Sequence, residues 1–259
     1  MTNQRVSTGI PGLDSLLYGG FVKGRTYIIT GDTGTGKTIA CLQFVHHALS
    51  RGEKAVYVTV DERPSEITDS AASFSWNLQN HIQDKNLAIL DASPYFSGRS
   101  GNATEKGIDP QKIVADLSNY VKRLAATLLV IDPVTPFSLP SDPNVPPQDQ
   151  ARSLVNLLQT QLNTTNLLTG HLSGSNQNRS TGIEEFLASG VLTLKLDTTA
   201  EKTKRSITIR KMRGAPVAAA EYPLEINSSQ GIVIQSAGAN SHSQTVSMPV
   251  FEQFEHPSK

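Results

Sequence analysis

Gly31-Asp-Thr-Gly-Thr-Gly-Lys-Thr38 is the stretch on which the fold turns. It matches G-x-x-x-x-G-K-[ST] and stands between a run of strand character and a run of helical spacing, the context that pattern requires. Upstream, residues 26–30 read Thr-Tyr-Ile-Ile-Thr, β-branched and aromatic, and Gly31 closes them; this predicts a buried strand. Downstream, over 38–50, Cys41, Phe44, Val45 and Ala48 recur at helical spacing until Arg51-Gly52 stops the run. Glycines let the backbone turn tightly so that successive N–H groups face phosphate oxygens, and the following helix adds its positive end. Gly31, Asp32, Thr33, Gly34, Thr35, Gly36, Lys37, Thr38 and Ile39 are therefore expected around a phosphate, with Lys37 reaching the β- and γ-phosphates and the Thr38 hydroxyl on Mg²⁺. The competing reading is a chance match, and the flanking strand and helix weigh against it.

Working outward, residues 55–60 and 87–91 predict two more strands, the first ending in Asp61-Glu62. Asp109-Pro110 reads as a helix start, followed by the stripe Ile113, Leu117, Val121 and Leu124. Residues 127–132 are the most apolar strand and end in Asp132. Asp149 is expected to cap a helix carrying Leu154, Val155, Leu158 and Leu162, and residues 166–169 are a short strand candidate. Strand and helix alternate through this part, which predicts an α/β fold: a twisted, mainly parallel central sheet with helices on both faces. Beyond Gly190 the runs 191–196, 206–210, 222–226 and 231–235 follow one another without helices and predict an antiparallel extension of the sheet. Residues 138–148, with prolines at 140, 143, 146 and 147, are expected to form an exposed loop. A domain over 1–235 and a flexible tail over 236–259 complete the expected organisation.

Composition narrows the function classes. The chain has 259 residues, enough to bury a sizeable core, and its hydrophobic fraction of 37% argues against wholesale disorder. Lys+Arg 23 balances Asp+Glu 23, which argues against a dedicated nucleic-acid binder. The lone Cys41 forms no internal disulfide and suits a reducing cytoplasm. No run approaches 18 apolar residues, and no apolar stretch of signal-peptide type follows Met1, so neither membrane nor export is expected. His46-His47 read as surface residues, and Trp76 and Phe74 as core.

Three further groups can carry chemistry. Asp132, at the end of an apolar strand, has the Walker-B pattern and would serve the Mg²⁺ shell; a turn or cap residue is the alternative. Asp61 or Glu62 could polarise a water for attack on the γ-phosphate. Adjacent side chains at a strand end point in different directions, so one is expected to do so, and Glu62 is the choice; the alternative is an acidic pair before a helix at Pro64-Ser65-Glu66. Lys211-Met212-Arg213, with Lys202, Lys204, Arg205 and Arg210, is the most basic stretch. By itself it reads equally as a solvated strand or as cations serving a neighbouring subunit's triphosphate.

Thr8-Gly-Ile-Pro-Gly-Leu-Asp14, Gly19-Gly-Phe-Val-Lys-Gly24 and the P-loop together resemble the opening of the KaiC/RadA branch of RecA-like ATPases. Val58-Thr-Val-Asp-Glu-Arg-Pro64, Ala72-Ser-Phe-Ser-Trp76, Ile89-Leu-Asp-Ala-Ser-Pro94, Gly182-Ile-Glu-Glu-Phe186, Lys211-Met-Arg-Gly214 and Glu221-Tyr-Pro223 narrow the resemblance to KaiC-like proteins. The chain is similar to one such domain where the clock members of the family carry two, and more to their N-terminal ATPase half than to their autokinase half. The resemblance implies a RecA-like fold, a homo-oligomeric ring, commonly a hexamer, with ATP between subunits, and slow regulatory hydrolysis. By resemblance, Glu62 with Asp61 activates water, Asp132 is the Walker-B acid, Ser73 lies near the nucleotide, and Lys211, Met212 and Arg213 reach the neighbour's nucleotide. Asp61 stands where the family has a first glutamate, and Ala215 to Ala219 replace polar nucleotide contacts including a histidine. Glu185-Phe186 stands where the autokinase half has hydroxyl acceptors, which argues against self-phosphorylation there. The competing functions are a RadA-like DNA-dependent repair or recombination ATPase and a non-enzymatic scaffold that binds ATP to assemble and presents its tail or loop to a partner, such as a regulatory protein. A circadian role does not follow from the resemblance.

Overall fold

The structure, a computed structural model, describes residues 4–96, 109–138, 145–171, 188–198, 203–217 and 220–235. Its elements are β1 (Arg5–Val6), α1 (Leu13–Leu16), β2 (Phe21–Val22), β3 (Thr26–Gly31), α2 (Lys37–Ser50), β4 (Ala55–Thr59), α3 (Pro64–Ala72), α4 (Leu78–Gln83), β5 (Leu87–Asp91), α5 (Pro110–Leu124), β6 (Leu128–Asp132), α6 (Pro147–Gln161), β7 (Thr165–Gly170), β8 (Gly190–Thr198), β9 (Thr203–Met212), β10 (Glu221–Asn227) and β11 (Gly231–Ile234). Nine strands form one sheet in the order β11-β10-β9-β8-β3-β7-β6-β4-β5. The six from β8 to β5 are mutually parallel, and β9, β10 and β11 extend them antiparallel. This is an α/β fold of RecA-like P-loop type. β8, expected within the antiparallel extension, is instead the junction: parallel to β3 on one side and antiparallel to β9 on the other.

The two faces of the sheet explain the runs of unbroken apolar sequence. Strand side chains alternate between faces, and parallel strands are covered on both. Tyr27, Ile29, Tyr57, Leu128, Val130, Leu167 and Leu192 face α2 and α3. Ile28, Val56, Val58, Leu129, Ile131, Leu168 and Val191 face α5 and α6. The α5 stripe is buried at Ile113, Leu117 and Val121, while Leu124 is only partly covered at the helix end.

Several motif residues hold the frame. Asp14 accepts from Ser7 Oγ at 2.6 Å, Thr8 N at 2.8 Å and Thr8 Oγ1 at 2.6 Å, which fastens the loop before α1. Gln43 ties α2 to its surroundings: Nε2 donates to the carbonyls of Gly9, Gln230 and Ile232, and Oε1 accepts from Ile232 N. Trp76 is buried and stacks between Phe74 and His46, at centroid distances of 4.8 and 5.5 Å. The histidine pair is therefore not a surface feature: His46 and His47 are half-buried, and burial beside Trp76 lowers the His46 pKa. Asp149 does not cap α6. That helix starts two residues earlier, at Pro147, inside the expected loop, because proline suits the first helical position; Asp149 lies in the first turn. Residues 139–144 of that loop, the Gly182–Phe186 motif, Ala218-Ala219 and the expected tail over 236–259 fall outside the described residues.

Candidate phosphate-binding site

The site follows from the sheet order. In open α/β sheets ligands sit beyond the carboxyl ends of the strands. Here β3, β7, β6 and β4 deliver their ends side by side, which brings the P-loop, His171, Asp132 and the Asp61-Glu62 pair to one edge. Thr33, Gly34, Gly36, Lys37, Thr38, Ile39, Asp61, Glu62, Asp132, Pro133, His171, Arg205 and Ile226 line a single cleft of about 610 Å³.

Two of the P-loop glycines, Gly31 and Gly36, leave little room for a side chain. Gly36, the residue before α2, has φ 105°, and a Cβ there would lie 2.8 Å from Ile226 Cδ1. A Cβ on Gly31 would lie 2.6 Å from the Leu194 carbonyl oxygen. Behind the lining residues, Thr35 is buried and its hydroxyl donates to the Asp32 carbonyl at 2.8 Å, bracing the turn. Gly31, Asp32 and Thr35 are not among the cleft-lining residues: Gly31 and Thr35 are buried, and Asp32 is exposed. Lys37 Nζ donates to the carbonyls of Gly31 and Asp32 at 2.8 and 2.9 Å. Burial lowers the pKa of this ammonium, and Asp132 and Asp32 oppose the shift.

Asp132 is held at both oxygens: Oδ2 accepts from Tyr57 OH at 2.7 Å and Oδ1 from Thr169 Oγ1. Neither hydroxyl was singled out by the sequence. Period-two counting back along the predicted strands could have found them, since Tyr57 and Thr169 sit on the strands flanking β6. Both Asp61 and Glu62 line the cleft. The expected divergence of the pair fails because β4 ends at Thr59, and side-chain alternation holds only within a strand. They differ in environment: Asp61 is exposed, whereas burial, with Asp132, Glu66 and Asp61 nearby, pushes the half-buried Glu62 carboxyl upward. The helix-start role belongs to Glu66, whose carboxylate accepts from Arg63 N at 2.7 Å.

The donor set fits Mg²⁺. Among the described residues no cluster of three or more His, Cys, Asp or Glu side chains could form a closed metal cage. A hydroxyl and one carboxylate in a phosphate cleft is what Mg²⁺ requires, since it keeps waters and takes substrate phosphates. Each Asp132 oxygen retains a second lone pair for a metal-bound water.

The remaining candidates lie elsewhere. Ser73 ends α3, is exposed, and donates to the Ser70 carbonyl; it does not line the cleft. Lys211 pairs with Val191, and Arg213 N donates to Ser189 O at 2.7 Å, at the amino end of the parallel strands and opposite the P-loop. The Met212 side chain is buried beneath Gly190. His171, Pro133 and Ile226 are cleft residues the sequence reading missed; His171 and Pro133 each follow a strand directly, the one signal that could have found them.

Residues 6–239 match the family model described as "ATPase: KaiC". The chain is 31% identical over 242 residues to the circadian clock oscillator protein KaiC of Prochlorococcus marinus, covering 92% of this chain but only 46% of that protein. It is 31% identical to a UPF0273 protein of Methanopyrus kandleri, covering 87% of this chain and 90% of that one. A solved KaiC-like protein from Pyrococcus horikoshii superposes with a TM-score of 0.73 at 32% identity, over 90% of this chain and 99% of the other. The chain thus spans about half the length of the clock proteins it matches and nearly all of the Methanopyrus kandleri and Pyrococcus horikoshii relatives.

Proposed function

The chain belongs to the KaiC ATPase family, and from that premise we propose that it binds Mg-ATP in the cleft, completes each site with a neighbouring copy in a ring of six, and hydrolyses ATP slowly in a regulatory role. One observation carries the reading: phosphate-type and water-activating residues converge on one cleft, while Lys211 and Arg213 stand at the opposite edge of the same sheet. Six residues of strand separate Lys211 from Arg205 at the cleft, about 20 Å at 3.3 Å per residue. That distance sets the two cations apart from their own chain's cleft, which supports the reading that they serve a neighbouring copy's site.

In this mechanism the P-loop N–H groups and Lys37 hold the β- and γ-phosphates. Magnesium, held by Thr38 and through water by Asp132, would neutralise phosphate charge. Tyr57 and Thr169 hold the Asp132 carboxylate in a fixed orientation at the cleft, where it would serve the metal's shell. Glu62, with its raised pKa, accepts the proton of the attacking water, and Asp61 beside it assists. Lys211 and Arg213 of the adjoining copy meet the γ-phosphate charge as it develops.

Light scattering after size exclusion, with and without Mg-ATP, combined with phosphate release, tests this on wild type and Lys37→Ala. Nucleotide-dependent assembly and turnover, both lost in Lys37→Ala, are expected. A wild-type protein that neither binds nor cleaves ATP refutes the proposal. Retention of ATP without release would move the function to an assembly scaffold, and a rate raised by single-stranded DNA would move it to a DNA-dependent ATPase.

A further inference from the structure

The segment that leaves β9 after Lys211 and Arg213 is gripped by two side chains from the start of the chain. Arg5, on β1, donates from Nη1 to the carbonyls of Leu17 and Gly20, both at 2.8 Å, and from Nη2 to the Gly214 carbonyl at 2.9 Å. Tyr18, between α1 and β2, donates its hydroxyl to the Pro216 carbonyl at 2.9 Å. These donors lie 209 and 198 residues from their acceptors, so tertiary structure alone brings them together. Between the two captured carbonyls and beyond them, Ala215 and Val217 pack against the core. Arg213 is exposed, and its N–H donates to Ser189 O at 2.7 Å. Its backbone is therefore fastened to the sheet on one side and, through Gly214, to Arg5 on the other.

Tyr18 is an unusual residue for its place. Its φ is 57°, in the left-handed region that bulky residues rarely adopt, and it follows the end of a helix, where glycine is the common choice. It is also 56% exposed, so burial in the core does not account for it. A strained residue persists where the surrounding structure has a use for it, and the use visible here is the bond to Pro216. We propose that Arg5 and Tyr18 are positioning residues, a clamp that fixes residues 213–217 so that Lys211 and Arg213 are presented to the triphosphate of a neighbouring copy. This rests on the reading of those two cations as serving a neighbour's site. Long cationic side chains lose much rotamer freedom when they are ordered, and a fixed backbone leaves less to be ordered as charge develops on the phosphate. The two members of the clamp differ in one respect. Arg5 also braces its own turn through Leu17 and Gly20, whereas the bond from the exposed Tyr18 hydroxyl can be removed with the core untouched.

The test is ATP turnover by wild type, Tyr18→Phe and Arg5→Gln, with thermal unfolding as the check on folding. Tyr18→Phe should lower kcat about two- to tenfold, the worth of one hydrogen bond, with KM and melting temperature unchanged. Arg5→Gln should lower kcat further and the melting temperature as well. Mixed assemblies then locate the effect. A Lys37→Ala copy can lend its Arg213 but not its P-loop, and an Arg213→Ala copy the reverse, so mixing the two should restore turnover at a fraction of sites. Tyr18→Phe added to the Lys37→Ala copy should lower the restored rate; added to the Arg213→Ala copy it should leave that rate as it was. A merely structural tyrosine would change both mixtures or neither. Wild-type kcat in Tyr18→Phe, or an equal effect from either copy, overturns this inference alone. A wild type that hydrolyses ATP while the mixture restores nothing, or a wild type that binds no nucleotide, overturns the reading of shared sites and this inference with it.

Discussion

Removing one oxygen atom from Tyr57 isolates what holds Asp132 in place. Tyr57 and Asp132 are 1% and 8% exposed, so the hydroxyl-to-carboxylate bond at 2.7 Å has little water to replace it. In Tyr57→Phe the ring and its packing remain, and one hydrogen bond to a carboxylate disappears, which costs about 1.5–3 kcal/mol. For a domain of this size that corresponds to a melting temperature lower by roughly 3–12 °C, at about 2–4 °C per kcal/mol. Calorimetry or circular dichroism measures the shift, and Asp132→Ala supplies the control background. There the Tyr57 hydroxyl has lost its acceptor, so Tyr57→Phe should cost much less than in wild type. A wild-type shift below about 1 °C, or an equal cost in both backgrounds, would refute the claim that this hydroxyl acts through Asp132.

Gly36→Ala should lower affinity for ATP and cost about 1–2 kcal/mol of stability, since alanine is strained at φ 105° and its Cβ meets Ile226; denaturant unfolding and nucleotide titration check both. Glu62→Gln should abolish phosphate release while making the fold more stable at neutral pH. A carboxyl whose pKa is raised in the folded state contributes stability below its unfolded value and loses it as pH rises through the raised one, so melts of variant and wild type should converge in acid and separate above that window. Gln43→Leu leaves the Gly9 and Gln230 carbonyls and the Ile232 pair without the amide that joins α2 to β11; a cost of roughly 1–3 kcal/mol for each buried group left unpaired is expected in urea unfolding.

The sequence by itself determined the local chemistry. Gly31 to Thr38 announce a phosphate loop because glycine conformations, an ammonium and a hydroxyl at fixed spacing within eight residues need no distant partner to be recognised. The parallel sheet was legible for a similar reason: strands buried on both faces are apolar throughout, and helices alternate between them. Asp132 and Glu62 could be read as strand-end carboxylates, since a strand end is itself a local feature. What only the tertiary structure decided is adjacency. The chain order β3, β4, β6, β7 becomes the spatial order β3-β7-β6-β4, so His171 and Thr169 come beside Asp132 although no local pattern joins them. The antiparallel return of β9 took one basic run and sent Arg205 to the chain's own P-loop and Lys211 and Arg213 to the opposite edge. The same return laid Ile226 of β10 against Gly36. Periodicity specifies which face of a strand is buried; which strands lie next to one another, and hence which charges share a cleft, is fixed by long-range pairing in the folded sheet.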